Sequence, residues 1–216
     1  MKQSHGFWFP DCDTHFAKML DKNVAKGNQP VYQEPVRRIS IQHCLHRNLA
    51  LDIGANVGLW TRDLCGFFNQ VIAIEPVAEF RDCLRKNVTT DNLQIYDCAL
   101  GESASMIDMI ITPENTGHSH VDPASMGNGS IKMQTLDSLN LPKFEYVKID
   151  CEGYEFKILR GGEQCIRKYC PIIVVEQKFH TDTGIVDQGE AIALLRSWGA
   201  RQLDQVKNDI VMGWAG

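Results

Sequence analysis

Residues 147–162 read VKIDCEGYEFKILRGG. Three carboxylates, Asp150, Glu152 and Glu155, fall within six positions, directly after an apolar stretch that reads as a buried strand. Carboxylates there cost stability unless paired or hydrated. At a strand end they can also do chemistry. A neutral hydroxyl is a poor nucleophile and needs a base beside it, and Asp150 is the leading carboxylate for that task. Glu152 has three readings: an acid favoured by the dipole of the following helix, a contact to a polar substrate, or half of a divalent-cation pair. Two acids fall far short of an oxygen-ligand set, so no metal is expected. Glu155, one turn further on, serves the helix start or else supports Lys148 or the loop. Lys148 alternates with Val147 and Ile149, so a buried ammonium must find a partner. It either pairs with one of the acids or lowers the pKa of an acceptor. His118, His120 and His180 are loop bases, the first two in a long polar stretch that should overhang the site.

A second cluster, LDIGANVGLW, reads as a tight strand-to-helix turn. Gly54 lets the backbone turn sharply and approach a ligand, and Gly58 lets the helix pack near the sheet. If Gly54 opens a dinucleotide fingerprint, Asn56 and Leu59 stand where its further glycines belong. The close approach to a pyrophosphate is then lost, which disfavours NAD and FAD and suits a ligand without phosphates. Glu75 ends the next strand before Pro76, where an acid can accept both ribose hydroxyls of a nucleoside. After the third strand, Asp97 or the backbone near Cys98 and Ala99 can meet an adenine edge.

The elements that must position these residues alternate. NLALDI, QVIAIEP, LQIYDCAL, FEYVKID and PIIVVEQ are strands, and the segments between most of them have helical spacing. The pattern implies an α/β fold with a mainly parallel sheet, whose ligands bind outside the carboxyl ends of the strands. Asp52, Glu75, Asp97, Asp150 and Glu176 all fall at those ends. ARQLDQV and DIVMGWA close the sheet as a hairpin pair, and QGEAIALLRSWG precedes them as a helix. Residues 102–136 hold two extended segments around the stretch ENTGHSHVDPASMGNG, a length of loop that is often functional. Trp60 and Phe67 read as core residues of the first helix, and Gly161–Gly162 as a helix C-cap. Residues 1–46, punctuated by Pro10, Pro30 and Pro35, read as an irregular appendage with one helix capped by Thr14, and 47–216 as the main domain. Eight cysteines form no CxxC motif. The start lacks the apolar core of a signal peptide, and no run reaches a membrane span. These features suggest a cytoplasmic protein without a membrane partner. A net charge of −5 disfavours nucleic acid.

In order and spacing, LDIGANVGLWT, VIAIEP, ALG, MQTLDSL and VKIDCEGYEFKILRGG together resemble the FkbM family of class I S-adenosylmethionine-dependent methyltransferases, over roughly Asn48 to Gln177. The resemblance implies a Rossmann-like, seven-stranded mainly parallel sheet with helices on both faces and an antiparallel last strand. It implies methyl transfer, commonly to a hydroxyl oxygen, on a small molecule, sugar or glycan. Gly54, Ala55, Asn56 and Gly58 would meet the methionine part of S-adenosylmethionine, Glu75 with Pro76 the ribose, and Asp97, Cys98 and Ala99 the adenine. Asp52 would help hold the amino end, and Asp150 would face the transferred methyl group, with Glu152, Lys148 and His118 beside it. GFWFPDCDTHF is similar to short stand-alone members encoded by bacteriophages, which would place the protein in the host cytoplasm. The alternatives are methylation of a nucleic-acid ribose or base, and cofactor binding without catalysis. The acceptor and the oligomeric state are not legible.

Overall fold

A computed structural model of the chain describes residues 1–177 and 189–214. His180 and Gln188 lie outside the described residues. Seven strands form the central sheet: β1 (Leu49–Ile53), β2 (Gln70–Ile74), β3 (Leu93–Tyr96), β4 (Tyr146–Ile149), β5 (Ile172–Glu176), β6 (Arg201–Val206) and β7 (Asp209–Gly213). Their order is β3-β2-β1-β4-β5-β7-β6. Pairing from β3 to β5 is parallel throughout, and β7 runs antiparallel to both its neighbours.

The helices are α1 (His15–Ala25), α2 (Glu34–Gln42), α3 (Leu59–Leu64), α4 (Ala78–Asn87), α5 (Glu155–Gly161), α6 (Glu163–Tyr169) and α7 (Glu190–Ser197). Strand periodicity of two sends alternate residues to opposite faces. Leu51, Ile53, Val147, Ile149, Ile173 and Val175 pack with Ile158 of α5, Ile166 of α6 and Ile192 of α7. Ala50, Val71, Tyr146 and Val174 pack with Val36 of α2 and with Trp60 and Leu64 of α3. Both faces are therefore covered, which is why these strands read as continuous apolar runs.

The first 46 residues hold more regular structure than their prolines suggest. Lys2–Ser4 and Phe7–Phe9 pair as an antiparallel hairpin, and α1 and α2 follow. Thr14 makes no side-chain cap bond. Phe7, Phe9, Phe16 and Leu20 bury against Val57, Leu59 and Cys83, so this segment shares its core with the turn after β1. The long insertion is also structured. Ser105–Ile107 and Ala99–Leu100 flank Ile131–Gln134 in a small sheet, and Met109–Ile110 pairs with His120–Val121.

One local expectation changes and another is sharpened. Phe67 is half exposed, beneath the Arg47 guanidinium, because α3 ends at Leu64 and Phe68 takes the buried place. Gly162 does cap α5, though not in the left-handed conformation. Gly162 has φ −116° and leads straight into α6. The constraint lies at Gly161, where an added Cβ would stand 2.0 Å from the Gly101 carbonyl oxygen. Gly161→Ala must push helix and strand apart, an overpacking change of about 1–3 kcal/mol. Urea unfolding of the variant should show that loss, and an unchanged midpoint would mean that the two backbones separate freely.

Candidate active site

The carboxyl ends of β1, β2 and β4 open onto one cavity. Its floor is the turn after β1. The amides of Gly54 and Ala55 both donate to the Ile74 carbonyl, at 3.0 and 3.2 Å. Gly54 has φ +78°, and an added Cβ would lie 2.1 Å from the main-chain oxygen of Asp150. Glycine is thus required by backbone conformation and by the close approach of β4. Asn56 follows at φ +50°, a left-handed position that asparagine tolerates better than most residues. Gly58, at φ +86°, does not line the cavity. It opens α3 and lies against Leu84 and Val88.

Glu75 is nearly fully buried on the cavity wall. One carboxylate oxygen accepts from the Asn56 amide at 2.9 Å and the other from the Val77 amide at 2.8 Å. Burial pushes its pKa up to about 7, although these two amides, Arg81 and Lys148 pull it down. Pro76, Cys98 and Ala99 continue the wall with Phe80 and Leu100. Asp97 does not join them. It is exposed and borders a neighbouring hollow with Arg81 and Lys132.

Across the cavity, Lys148 lies opposite Asp52 in the β4–β1 register. Its ammonium stands 3.6 Å from an Asp52 oxygen and 3.5 Å from an Asp150 oxygen, and donates to the Gly54 carbonyl at 3.2 Å. Burial alone would lower its pKa. Asp150 and Asp52 outweigh that and hold the lysine charged. Asp52 is wholly buried beneath the turn and outside the cavity lining. Burial raises its pKa, opposed by Lys148 and by a 2.6 Å hydrogen bond from the Thr61 hydroxyl.

Asp150 and Glu152 line the cavity. Glu152 takes a left-handed φ of +51°, a strained conformation for a residue other than glycine. Glu155 lies apart and accepts from the Cys151 amide at 2.7 Å, fixing the turn before α5. Glu176 joins Asp150 and Glu152, so that one oxygen from each lies within 4.8 Å of the others. These three donors are more than the two the motif offered, and about half an oxygen-ligand set for a hard cation. His118 is exposed, 6.4 Å from the His15 ring, and off the cavity lining, as is His120.

Residues without an obvious chemical signal complete the enclosure. Phe16 and Tyr32 enter from the N-terminal segment, and Thr116, Gly117 and Ser119 from the insertion. The long polar stretch pointed to that insertion, but through its histidines and not through Thr116. No helix among the described residues is long and apolar enough to cross a membrane.

A curated relative, the hexuronic acid methyltransferase AglP of Haloferax volcanii, is 24% identical over 148 residues, 66% of this chain and 61% of its own length. Among solved structures, methyltransferase FkbM from Methylobacillus flagellatus KT superposes with a TM-score of 0.51 at 17% identity, over 78% of this chain and 44% of that one. Precorrin 8w decarboxylase from Methanobacterium thermoautotrophicum superposes with a TM-score of 0.52 at 16% identity, over the full length of both chains. These likenesses in structure show the fold. This chain therefore spans less than two thirds of the AglP and FkbM proteins it resembles. The family model for the methyltransferase FkbM domain matches residues 52–201, from the glycine turn through the acidic block to β6, and the chain belongs to that family.

Proposed function

We propose that this chain is an S-adenosylmethionine-dependent methyltransferase acting on a hydroxyl of a small molecule, sugar or glycan. The observation that carries the reading is a single cavity with a glycine turn at its floor, Glu75 on one wall and the Lys148–Asp150 pair on another. The donor set fits the cofactor. Glu75 offers carboxylate oxygens to ribose hydroxyls, Cys98, Ala99 and Leu100 offer an apolar slot for a base, and the backbone of Gly54–Asn56 borders the remainder. Lys148 is the one Lys or Arg among the described lining residues, and it is already paired, so nothing there recommends a pyrophosphate. Bound there, S-adenosylmethionine supplies an activated methyl group on a sulfonium. Asp150 would orient the acceptor hydroxyl and take its proton as the methyl group passes from sulfur to oxygen, the S–CH3 bond breaking to leave S-adenosylhomocysteine. Lys148 fixes Asp150 in place, and Asp52 holds Lys148 from below.

A sugar acceptor agrees with the name of the AglP relative. Acids outnumber cations in the described lining, Glu75, Asp150 and Glu152 against Lys148, which counts against a polyanionic nucleic acid. All eight cysteines are free, consistent with a reducing cytoplasm.

S-adenosylhomocysteine at about a hundred times its Kd should stabilise the protein by about 2.7 kcal/mol, read as a raised melting temperature. NADH should not. The reverse pattern would sink the reading.

Glu75 gives a pH dependence. Its pKa is raised on folding, so its contribution to stability is full below about 4.5 and lost as pH rises towards about 7. Ribose donors favour the ionised form, so S-adenosylhomocysteine affinity should rise across that window. Calorimetry on Glu75→Gln should show the rise flattened, and an equal rise in the variant would remove Glu75 from the ribose site.

For the chemistry, Asp150→Asn should leave cofactor affinity nearly unchanged while turnover falls roughly 10²–10⁴-fold, the range for a lost general base. Lys148→Met should instead lose about 3–5 kcal/mol of stability, because Asp52 is left buried without its cation. A stable Asp150→Asn variant with full turnover would exclude Asp150 from proton transfer.

A further inference from the structure

The segment before β1 lies outside the family match, yet it touches the cavity at its most constrained point. Asp13 is wholly buried. One of its oxygens accepts from both the amide and the hydroxyl of Thr116, at 2.9 and 2.7 Å, and the other from the Phe16 amide at 3.2 Å. The adjoining backbone repeats the tie, since the amides of Thr14 and His15 both donate to the Glu114 carbonyl. Thr116 in turn accepts at its carbonyl from the Asn56 side-chain amide at 2.9 Å, and the Asn56 backbone amide binds Glu75. A continuous line of hydrogen bonds thus runs from Asp13 through Thr116 and Asn56 to Glu75.

Apolar contacts follow the same route. The Phe16 ring lies over Gly117, where an added Cβ would stand 3.2 Å from the ring. Phe16 also meets the Tyr32 ring edge-on at 5.5 Å, and both line the cavity. The hairpin is held independently. Asn87 of α4 bonds the Trp8 backbone twice and the Val57 carbonyl once, at 2.6, 2.9 and 2.7 Å.

We infer that the segment from Asp13 to Tyr32 is the outer wall of the methyl-donor site, and that Asp13 is a positioning residue that sets Asn56 and Glu75 through Thr116. The inference rests on the donor-site reading above. A buried carboxylate receiving three hydrogen bonds is a strong local constraint. Here it fixes the N-terminal segment against the insertion, and Thr116 passes that constraint to the glycine turn through Asn56. The segment thereby contributes Phe16 and Tyr32 to the wall of the donor cavity.

Amide hydrogen exchange on the unaltered protein is the primary test. Adding S-adenosylhomocysteine should slow exchange at residues 13–18 and 114–118 as well as in the glycine turn. Binding without protection at those two segments would overturn this inference and leave the donor site standing. No binding at all would overturn both. Asp13→Asn removes the charge and one of the two acceptor oxygens, setting an amide nitrogen against the donors of Thr116 or the N–H of Phe16, and Thr116→Val removes one donor while keeping the amide. Each should weaken S-adenosylhomocysteine and raise the donor KM by about tenfold, as expected for the loss of one hydrogen bond to a charged group, while kcat changes far less. A lower melting temperature with donor affinity and KM intact would show that Asp13 only stabilises the fold. Should Asp13→Asn fail to fold, Thr116→Val and the exchange data on the unaltered chain decide.

Discussion

Lys148 holds the site together. An ammonium in the middle of a covered sheet is tolerated only with compensating charge close by, and here two strands provide it. Asp52 of β1 lies opposite in register, and Asp150 follows two residues along β4. The same ammonium binds the Gly54 carbonyl. One side chain thereby links the strand that starts the glycine turn, the turn itself and the strand end that carries the acidic block. The backbone closes up accordingly, with the Asp150 carbonyl so near Gly54 that no β-carbon fits between them. The spacing between the two walls of the cavity follows from this ion pair and from the absence of a side chain at one residue.

The remaining walls come from parts of the chain far apart in sequence. Asn56 stands where a phosphate-binding fingerprint has glycine, and its side chain is what that substitution provides. It reaches the insertion through Thr116, while its backbone amide holds Glu75. A turn built from glycine alone could approach a ligand but could not fasten a neighbouring loop. This geometry gives up a bare backbone surface and gains a hydrogen-bonded rim.

The sheet was legible because both of its faces are covered, which makes each central strand a continuous apolar run ending at an acid. Glu75, Asp150 and Glu152 were legible for the same reason. Depth was not. In LDI the acid reads alike whether it stands at the edge or beneath it, and Asp52 proves to be beneath. Asp97 follows its strand in the same way and turns outward. The histidines drew attention by their chemistry, but His118 faces His15, and Thr116, ordinary by type, makes the contacts. The N-terminal hairpin has strands of three residues, too short for a period of two to show. Helix α2 begins after a left-handed Gln33 with a proline in its first turn, so the same proline that marked irregular chain is compatible with a helix start. The pairing of Asp13 with Thr116 spans 103 positions, and no local pattern announces it.

The place of β7 has a consequence for the order in which the molecule assembles. It lies between β5 and β6, although it follows both in the chain. Until it is inserted, β5 presents an open row of amides and carbonyls, the kind of edge that recruits other chains. The hairpin of β6 and β7 is a local structure and can form by itself, but β5 cannot be sealed until that hairpin swings in with β7 leading. The pairing that seals it, Ile173 with Met212, joins residues closer in sequence than the pairing of Leu51 with Val147 at the centre of the sheet. Glu176 at the end of β5 pairs in register with Asp209 of β7, so the third member of the group with Asp150 and Glu152 stands on the seam that this hairpin closes.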